Sequence, residues 1–247
     1  MKISRKFFFV LFIFFFVSCK ENKELKKYSF ALSGAISNPT EHYLILSEVG
    51  KSGFSQNDTI SLDKEGVFSK NIEMQEPTLY SLALGNEYII ICPTIGEQIS
   101  IKASGSNFSG TYNIEGSPES ELLKELNKEN YNVRLSLKSM SEELSKADTA
   151  KLDSIRTSII EKYTSTKQYQ EKITSDFINK NLGSLTTLIA LHRTFDGFAL
   201  FDHNQSLEMH KKVLQGLKQT LPNNQHTLTL ENFIAEKENA QKKNGTK

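Results

Sequence analysis

The sequence lacks an excess of charge of either sign: 30 Lys and Arg stand against 29 Asp and Glu in 247 residues. That balance excludes nucleic acid as a partner, because binding a phosphate backbone needs a surplus of cations. Paired thiols are lacking too, since Cys19 and Cys92 are the only cysteines and no Cys-x-x-Cys occurs. Dithiol exchange needs an attacking and a resolving thiol, so it has no local basis here. The histidines are His42, His192, His203, His210 and His226; none are spaced i, i+4, and His-Glu-x-x-His is absent. A zincin-type metal helix is thereby excluded. Gly-x-Ser-x-Gly is missing as well. Nine of thirteen glycines occur by Gly116, and none follows until Gly183. This distribution predicts turn-rich β structure followed by helices. The longest apolar run, Phe7 to Val17, has eleven residues. As a helix it rises about 16 Å, roughly half of a ~30 Å hydrocarbon core, which excludes a permanent membrane span in that stretch.

What the run does supply is a leader. Lys2, Arg5 and Lys6 precede it, and small Ser18 stands before Cys19, the pattern of a secretory signal removed after residue 18. Val17-Ser18-Cys19 resembles the lipobox of bacterial lipoproteins, with Phe16 in place of the usual Leu. The resemblance implies that Cys19 is lipidated, becomes the mature N-terminus and tethers the protein to an envelope membrane. Each buried acyl CH₂ contributes about 0.8 kcal/mol, so several chains make release slow. Losing the three leader cations leaves 27 Lys and Arg against 29 Asp and Glu, a net charge of -2 before histidines. Residues 19–27 read as a polar tether, in which Lys20-Glu21 is similar to the acidic export signals of outer-membrane lipoproteins. The expected place is therefore the outer membrane, on its periplasmic or cell-surface face.

From Tyr28 apolar residues recur every second position. Phe30, Leu32 and Ile36 begin the pattern, and Tyr43 to Leu46, Thr59 to Leu62 and Val67 to Met74 continue it. Gly50 to Asn57 reads as a loop, and Asp63-Lys64-Glu65-Gly66 as a hairpin turn with Gly at a positive-φ position. Thr78 to Leu84, Tyr88 to Cys92, Gln98 to Ala103 and Thr111 to Ile114 complete about eight strands. Tyr88 to Cys92 is so apolar that a central strand covered on both faces is predicted. Residues 28–116 are thus expected to form an antiparallel β-sandwich.

At Ser117 the period changes. Ser117 suits an N-cap, Pro118 the first helical position, and Glu119 and Glu121 the positive end of the helix dipole. Leu123, Leu126, Val133, Leu137, Met140 and Leu144 form one stripe; Leu152, Ile155, Ile159, Tyr163, Ile173 and Phe177 form a second, after a break at Ala147-Asp148-Thr149. A helical hairpin follows from the two. Shorter helices are predicted from Ser184, over Leu207 to Leu217 and from Thr227 to Glu238, so that 117–238 is helical and 239–247 a disordered tail. The fold class is α+β in two parts: an antiparallel β-sandwich, then an all-α helical hairpin with short helices.

Several of these stretches resemble one family. Ser33-Gly34, Asp58-Thr59, Glu65-Gly66-Val67-Phe68, Pro77-Thr78-Leu79-Tyr80, Gly96-Glu97-Gln98-Ile99 and Ile114-Glu115-Gly116-Ser117 are similar to the all-β domain of unknown function at the N-terminus of lipid-anchored, thioredoxin-like thiol-disulfide oxidoreductases of Gram-negative envelopes. Phe177-Ile178-Asn179-Lys180-Asn181, Ser184 to Leu191 and Leu221-Pro222-Asn223 resemble the helical connector of the same proteins. The resemblance implies a redox domain after the helices; the sequence reaches Lys247 without Cys-x-x-Cys, so that part is expected to be missing.

The remaining candidates for chemistry read as structural. Cys92 ends an apolar strand before Pro93, as a buried cysteine does. His203 and His210, near Asp202, read as surface histidines. Gly105 to Gly110 has the span of a phosphate loop, but Thr111 stands where Lys should follow, so it reads as a turn. Glu142, Glu143 and Asp153 fall on solvated helix faces. No catalytic residue, metal ligand or cofactor is assigned; Cys19 is the one modification site. The favoured function is a non-enzymatic, lipid-anchored module that binds a partner protein, glycan or peptide. The alternative is an accessory subunit or remnant of a thiol-disulfide oxidoreductase, docking a separate thioredoxin-like protein, and a third reading is a surface lipoprotein aiding nutrient uptake.

Overall fold

A computed structural model describes residues 28–50 and 53–245. The leader, Cys19 and the tether lie outside the described residues. The observed architecture is the two-part α+β fold expected, with β-sheets over 29–115 followed by helices.

The sandwich is built from β1 (Ser29–Ser37), β2 (Tyr43–Gly50), β3 (Gly53–Ser61), β4 (Val67–Glu73), β5 (Tyr80–Leu84), β6 (Glu87–Ile91), β7 (Gln98–Ser104) and β8 (Asn113–Glu115). One sheet runs β4-β1-β7-β8 and the other β3-β2-β5-β6. All pairs in them are antiparallel except β1 with β7, which run parallel in register Gly34↔Ile101. Alternation does the folding here: Phe30, Leu32, Ile36, Leu44, Leu46, Leu82, Ile89, Ile91, Ile99 and Ile101 all point between the sheets and are buried. The turn into β4 is the one expected. Asp63 Oδ1 accepts from the N–H groups of Glu65 and Val67, and Gly66 holds φ +77° where a Cβ would strike the Ile36 carbonyl oxygen.

Three expectations about the sandwich need correction. Gly53 to Asn57 is not a loop, because β3 pairs with β2 back to Gly53, with a register shift at Ser47/Glu48. Gly105 to Gly110 is not a plain turn but a 3₁₀ turn leading into a single helical turn, α1 (Phe108–Thr111), pinned by Phe108 in the sandwich core. β6 is an edge strand, not a central one. Its apolar run has another cause: Ile89 and Ile91 face the sandwich, whereas Ile90 and, just beyond the strand, Cys92 pack with the helices.

The helices are α2 (Pro118–Ser145), α3 (Leu152–Lys180), α4 (Thr186–Leu191), α5 (His203–Thr220) and α6 (Gln225–Gly245), with a two-stranded hairpin, β9 (Thr194–Phe195) and β10 (Phe198–Ala199), before α5. α6 continues through 239–245, where a disordered tail was expected. α2 and α3 form the expected hairpin, closed at Asp148, whose side chain accepts from Ala150 N–H. Ser117 precedes α2 but does not cap it through its side chain. Its hydroxyl lies 2.8 Å from that of Ser120, which takes the Cys92 N–H, so this polar pair is spent on closing the end of β6. Ser184, expected to cap α4, lies one residue before its N-cap Leu185, where its hydroxyl accepts from Thr186 N–H.

The α2 stripe is buried at Leu123, Leu126, Val133 and Met140, whereas Leu144 at its far end is exposed. The α3 stripe is rotated from the expected one. Gln170, Thr174 and Ile178 are its buried residues, with Ile173 and Phe177 only half-buried. Spacing by four keeps these three on one face, but two are polar and invisible to a hydrophobic count. A second core joins both parts: Leu79, Cys92, Val49 and Ile90 from the sandwich meet Leu123, Leu185, Leu191, Phe195, Val213, Leu217 and Leu230.

Candidate functional site

The helices leave a gap over the sheet. Between the outer face of β6, α2, the end of α4 and the β9–β10 hairpin lies a cleft of about 850 Å³, within the ~300–1,000 Å³ range of small-ligand sites. Val49, Phe54, Tyr88 and Ile90 supply the sheet side; Asn127, Asn130, Val133, Arg134 and Leu137 come from α2, Gln170 from α3, and Ile189, His192 and Arg193 from the end of α4.

Arg193 sits at the centre of the polar part. Its backbone is held twice: its N–H donates to the Ala190 carbonyl at the end of α4, and its carbonyl accepts from Leu200 N–H. The hairpin that follows turns through Asp196 and Gly197, with φ +51° and +82°, so that Phe195 pairs with Phe198. Two successive positive φ values suit Asp-Gly in a tight hairpin. Tyr163 of α3 clamps this turn, its ring 4.9 Å from that of Phe195 and its hydroxyl donating to Asp196 Oδ2 at 3.1 Å.

The Arg193 guanidinium is fixed by neutral amides. Nη2 donates to Asn127 Oδ1 at 2.5 Å, and Asn127 in turn donates to the Tyr112 hydroxyl at 3.0 Å. The amide orientation of Asn130 that satisfies its neighbours puts its oxygen on Nε, at 3.0 Å, and on Nη1. Its nitrogen then faces the Gln170 amide nitrogen at 2.9 Å, which also donates to the Thr194 carbonyl at 3.4 Å. One end of the Gln170 amide remains buried without a partner. Such a group costs about 1–3 kcal/mol. Among the described residues no carboxylate lies within ion-pair distance of Arg193, and burial pushes its guanidinium down to about 10, still charged at neutral pH.

The chain matches no family model, no curated protein and no solved structure. The site therefore rests on its own geometry.

The sequence candidates fall elsewhere. Cys92 is buried with its thiol pushed up by burial first and by Glu119 and Glu97 second. His210 is not a surface histidine: it is 3 % exposed, Nδ1 lies 2.5 Å from the Ser206 carbonyl, Nε2 has no partner, and its ring packs against Phe233. The side chain of His203 lies outside the described ones. His192, at the cleft, has its ring 5.7 Å from that of His210 and is pushed down by burial. His226 lies 2.8 Å from the Thr78 hydroxyl, fastening α6 to the sandwich together with Asn224 on the Pro77 carbonyl and Gln225 on Glu76. His42 is exposed. Glu143 pairs with Lys162 across the α2–α3 hairpin, while Glu142 and Asp153 lie on solvated faces beside Lys146 and Arg156. Among the described residues no three His, Cys, Asp or Glu side chains converge as a metal site would need.

Arg193, Asn127 and Asn130 were not singled out from the sequence. The available signal was Asp196-Gly197 between Phe195 and Phe198, a hairpin mark that would have placed Arg193 in the short connection between the end of α4 and a hairpin.

Proposed function

We propose that the protein is a non-enzymatic binding module, held on an envelope membrane by lipid on Cys19, whose ligand enters the cleft between the sandwich and the helices. The carrying observation is the cleft itself: apolar walls from both parts of the fold surround one fixed guanidinium and an amide with an unused bond. Few polar groups in a mostly apolar hollow are the usual make-up of a ligand site. The tether rests on the leader sequence, and no helix among the described residues is long and apolar enough to cross a membrane. An outer-membrane location follows from the same leader reading.

The test is a titration of methyl-labelled protein with mixtures of neutral aliphatic and aromatic fragments. Shifts concentrated on Val133, Leu137, Ile90 and Ile189 are expected. A library that moves none of these methyls would sink the binding reading.

A second reading, docking of a thioredoxin-like partner on the helices, draws on Leu144 and Ile160, which are exposed near the tip of the α2–α3 hairpin. Crosslinking in intact envelopes separates the two, because only docking yields a Cys-x-x-Cys protein joined to α2 or α3.

A further inference from the structure

We infer that the cleft selects a carboxylate carried on an apolar or aromatic body, with Arg193 as the receptor for the carboxylate. The inference rests on the binding reading above and names the ligand's chemistry.

The argument begins with donors. A guanidinium has five N–H groups; Asn127 takes one on Nη2, and Asn130 takes Nε and one on Nη1. One N–H on each terminal nitrogen of this cleft-lining residue is left, and a planar carboxylate can accept from two such groups at once. The amides hold the fork without neutralising it, so the cation is oriented in advance and its charge is unspent. Desolvating a cation without a counter-charge is costly, and an incoming anion recovers that cost.

The rest of the cleft limits the anion. Glu87 also lines it, but its carboxylate is engaged by the N–H and hydroxyl of Ser109 at 2.8 and 2.7 Å, and Asp196 accepts from Tyr163. Those negative charges disfavour a dianion such as phosphate, whereas a monoanion balances one guanidinium. Arg134, the other cation of the cleft, lies 5.5 Å from the centre of the Tyr131 ring.

The body of the ligand is set by the opposite wall. Tyr88 and Phe54 stand edge to face at 6.1 Å on the sheet and are 54 % and 59 % exposed, unusual for two adjacent large rings. With Val49, Ile90 and Leu137 they offer an apolar bed. A free organic acid and a peptide C-terminus present the same group, and the test distinguishes them.

The experiment is an NMR titration of the purified full chain in detergent with N-acetyl-phenylalanine and with its primary amide, followed at the Arg193 Nε–H and the Gln170 amide. The acid should bind about tenfold or more tightly than the amide, as expected for a charge-assisted pair. Arg193→Gln should abolish that preference while keeping the circular dichroism of the parent. Ala-Ala-Phe with a free or amidated C-terminus is the second arm: an equal preference in both arms indicates a carboxylate receptor of either source, and a preference for the free acid alone excludes peptides. Acid and amide binding equally overturns the inference and leaves the cleft as a neutral site. A preference that survives Arg193→Gln overturns it too. No binding of the acid, with neutral fragments still shifting the cleft methyls, overturns the carboxylate alone; silence from both probes and fragments overturns the binding reading as well.

Discussion

The Ser120 hydroxyl accepts a hydrogen bond from the backbone N–H of Cys92 at 2.9 Å, both groups being buried where the end of β6 meets the first turn of α2. Removing the acceptor strands a buried N–H, because the neighbouring Ser117 hydroxyl is turned to the Cys92 carbonyl at 3.4 Å and to Ser120 itself. Ser120→Ala is expected to cost about 1–3 kcal/mol, measured by urea denaturation. A loss below a few tenths would show that water replaces the bond.

Cys92 should be inert in the folded protein. Its thiol is pushed up, so the thiolate is scarce throughout the neutral range, and the side chain is enclosed by the second core. Thiol reagents should label it only at the rate of unfolding. An insulin-reduction assay with dithiothreitol should show no turnover above background, and turnover lost in Cys92→Ser would overturn the non-enzymatic reading.

Acid should destabilise the fold through its histidines. His192, His210 and His226 are all pushed below their ordinary value of 6.5, in each case chiefly by burial. The unfolded chain therefore binds more protons between the lowered values and 6.5. Stability is present above the unfolded value and declines as pH falls below it through the folded values. His192 and Lys237 add repulsion at His210, against a favourable contact with the Ser206 carbonyl. Melting temperature measured against pH should fall on the acid side, and the fall should be shallower in His210→Gln.

Expression of residues 28–116 alone tests how far the sandwich depends on the helices. It should keep a β-type circular dichroism spectrum, since its own core is complete. It should also bind a hydrophobic dye, because Leu79, Ile90 and Cys92 lose their cover. A fragment with no β signal would mean that the two cores fold only together.

Cys19→Ser should release the protein from membranes, and the intact mass of the parent should begin at an acylated Cys19. Unchanged membrane retention of the variant would remove the lipoprotein proposal.

Much of the fold was legible because burial followed chemistry. Phe30, Leu32 and Ile36 alternate since only one face of β1 is buried, and Gly66 marks a turn because the chain needs positive φ there. Legibility ended where polar groups were buried. Gln170 and Thr174 occupy the inner face of α3, so a count of apolar residues turned the helix by one position. The same blindness hid the candidate site: Arg193 reads as an ordinary cation until the end of α4 and the middle of α2 are seen together. β6 misled for the opposite reason, its four apolar residues reporting cover on two faces and nothing about its place in the sheet.

The helical half is fastened to the sandwich at one end of the β5–β6 pair. Ser120 meets Cys92 there, and Asn224 and His226 meet Pro77 and Thr78, just before β5. The cleft reaches Asn86, Glu87 and Tyr88, at the opposite end of the same pair. The helices are held at the cleft as well, through the Asn127 amide on the Tyr112 hydroxyl. A ligand therefore meets a hollow whose rims are already positioned, and little of its binding free energy goes into ordering them.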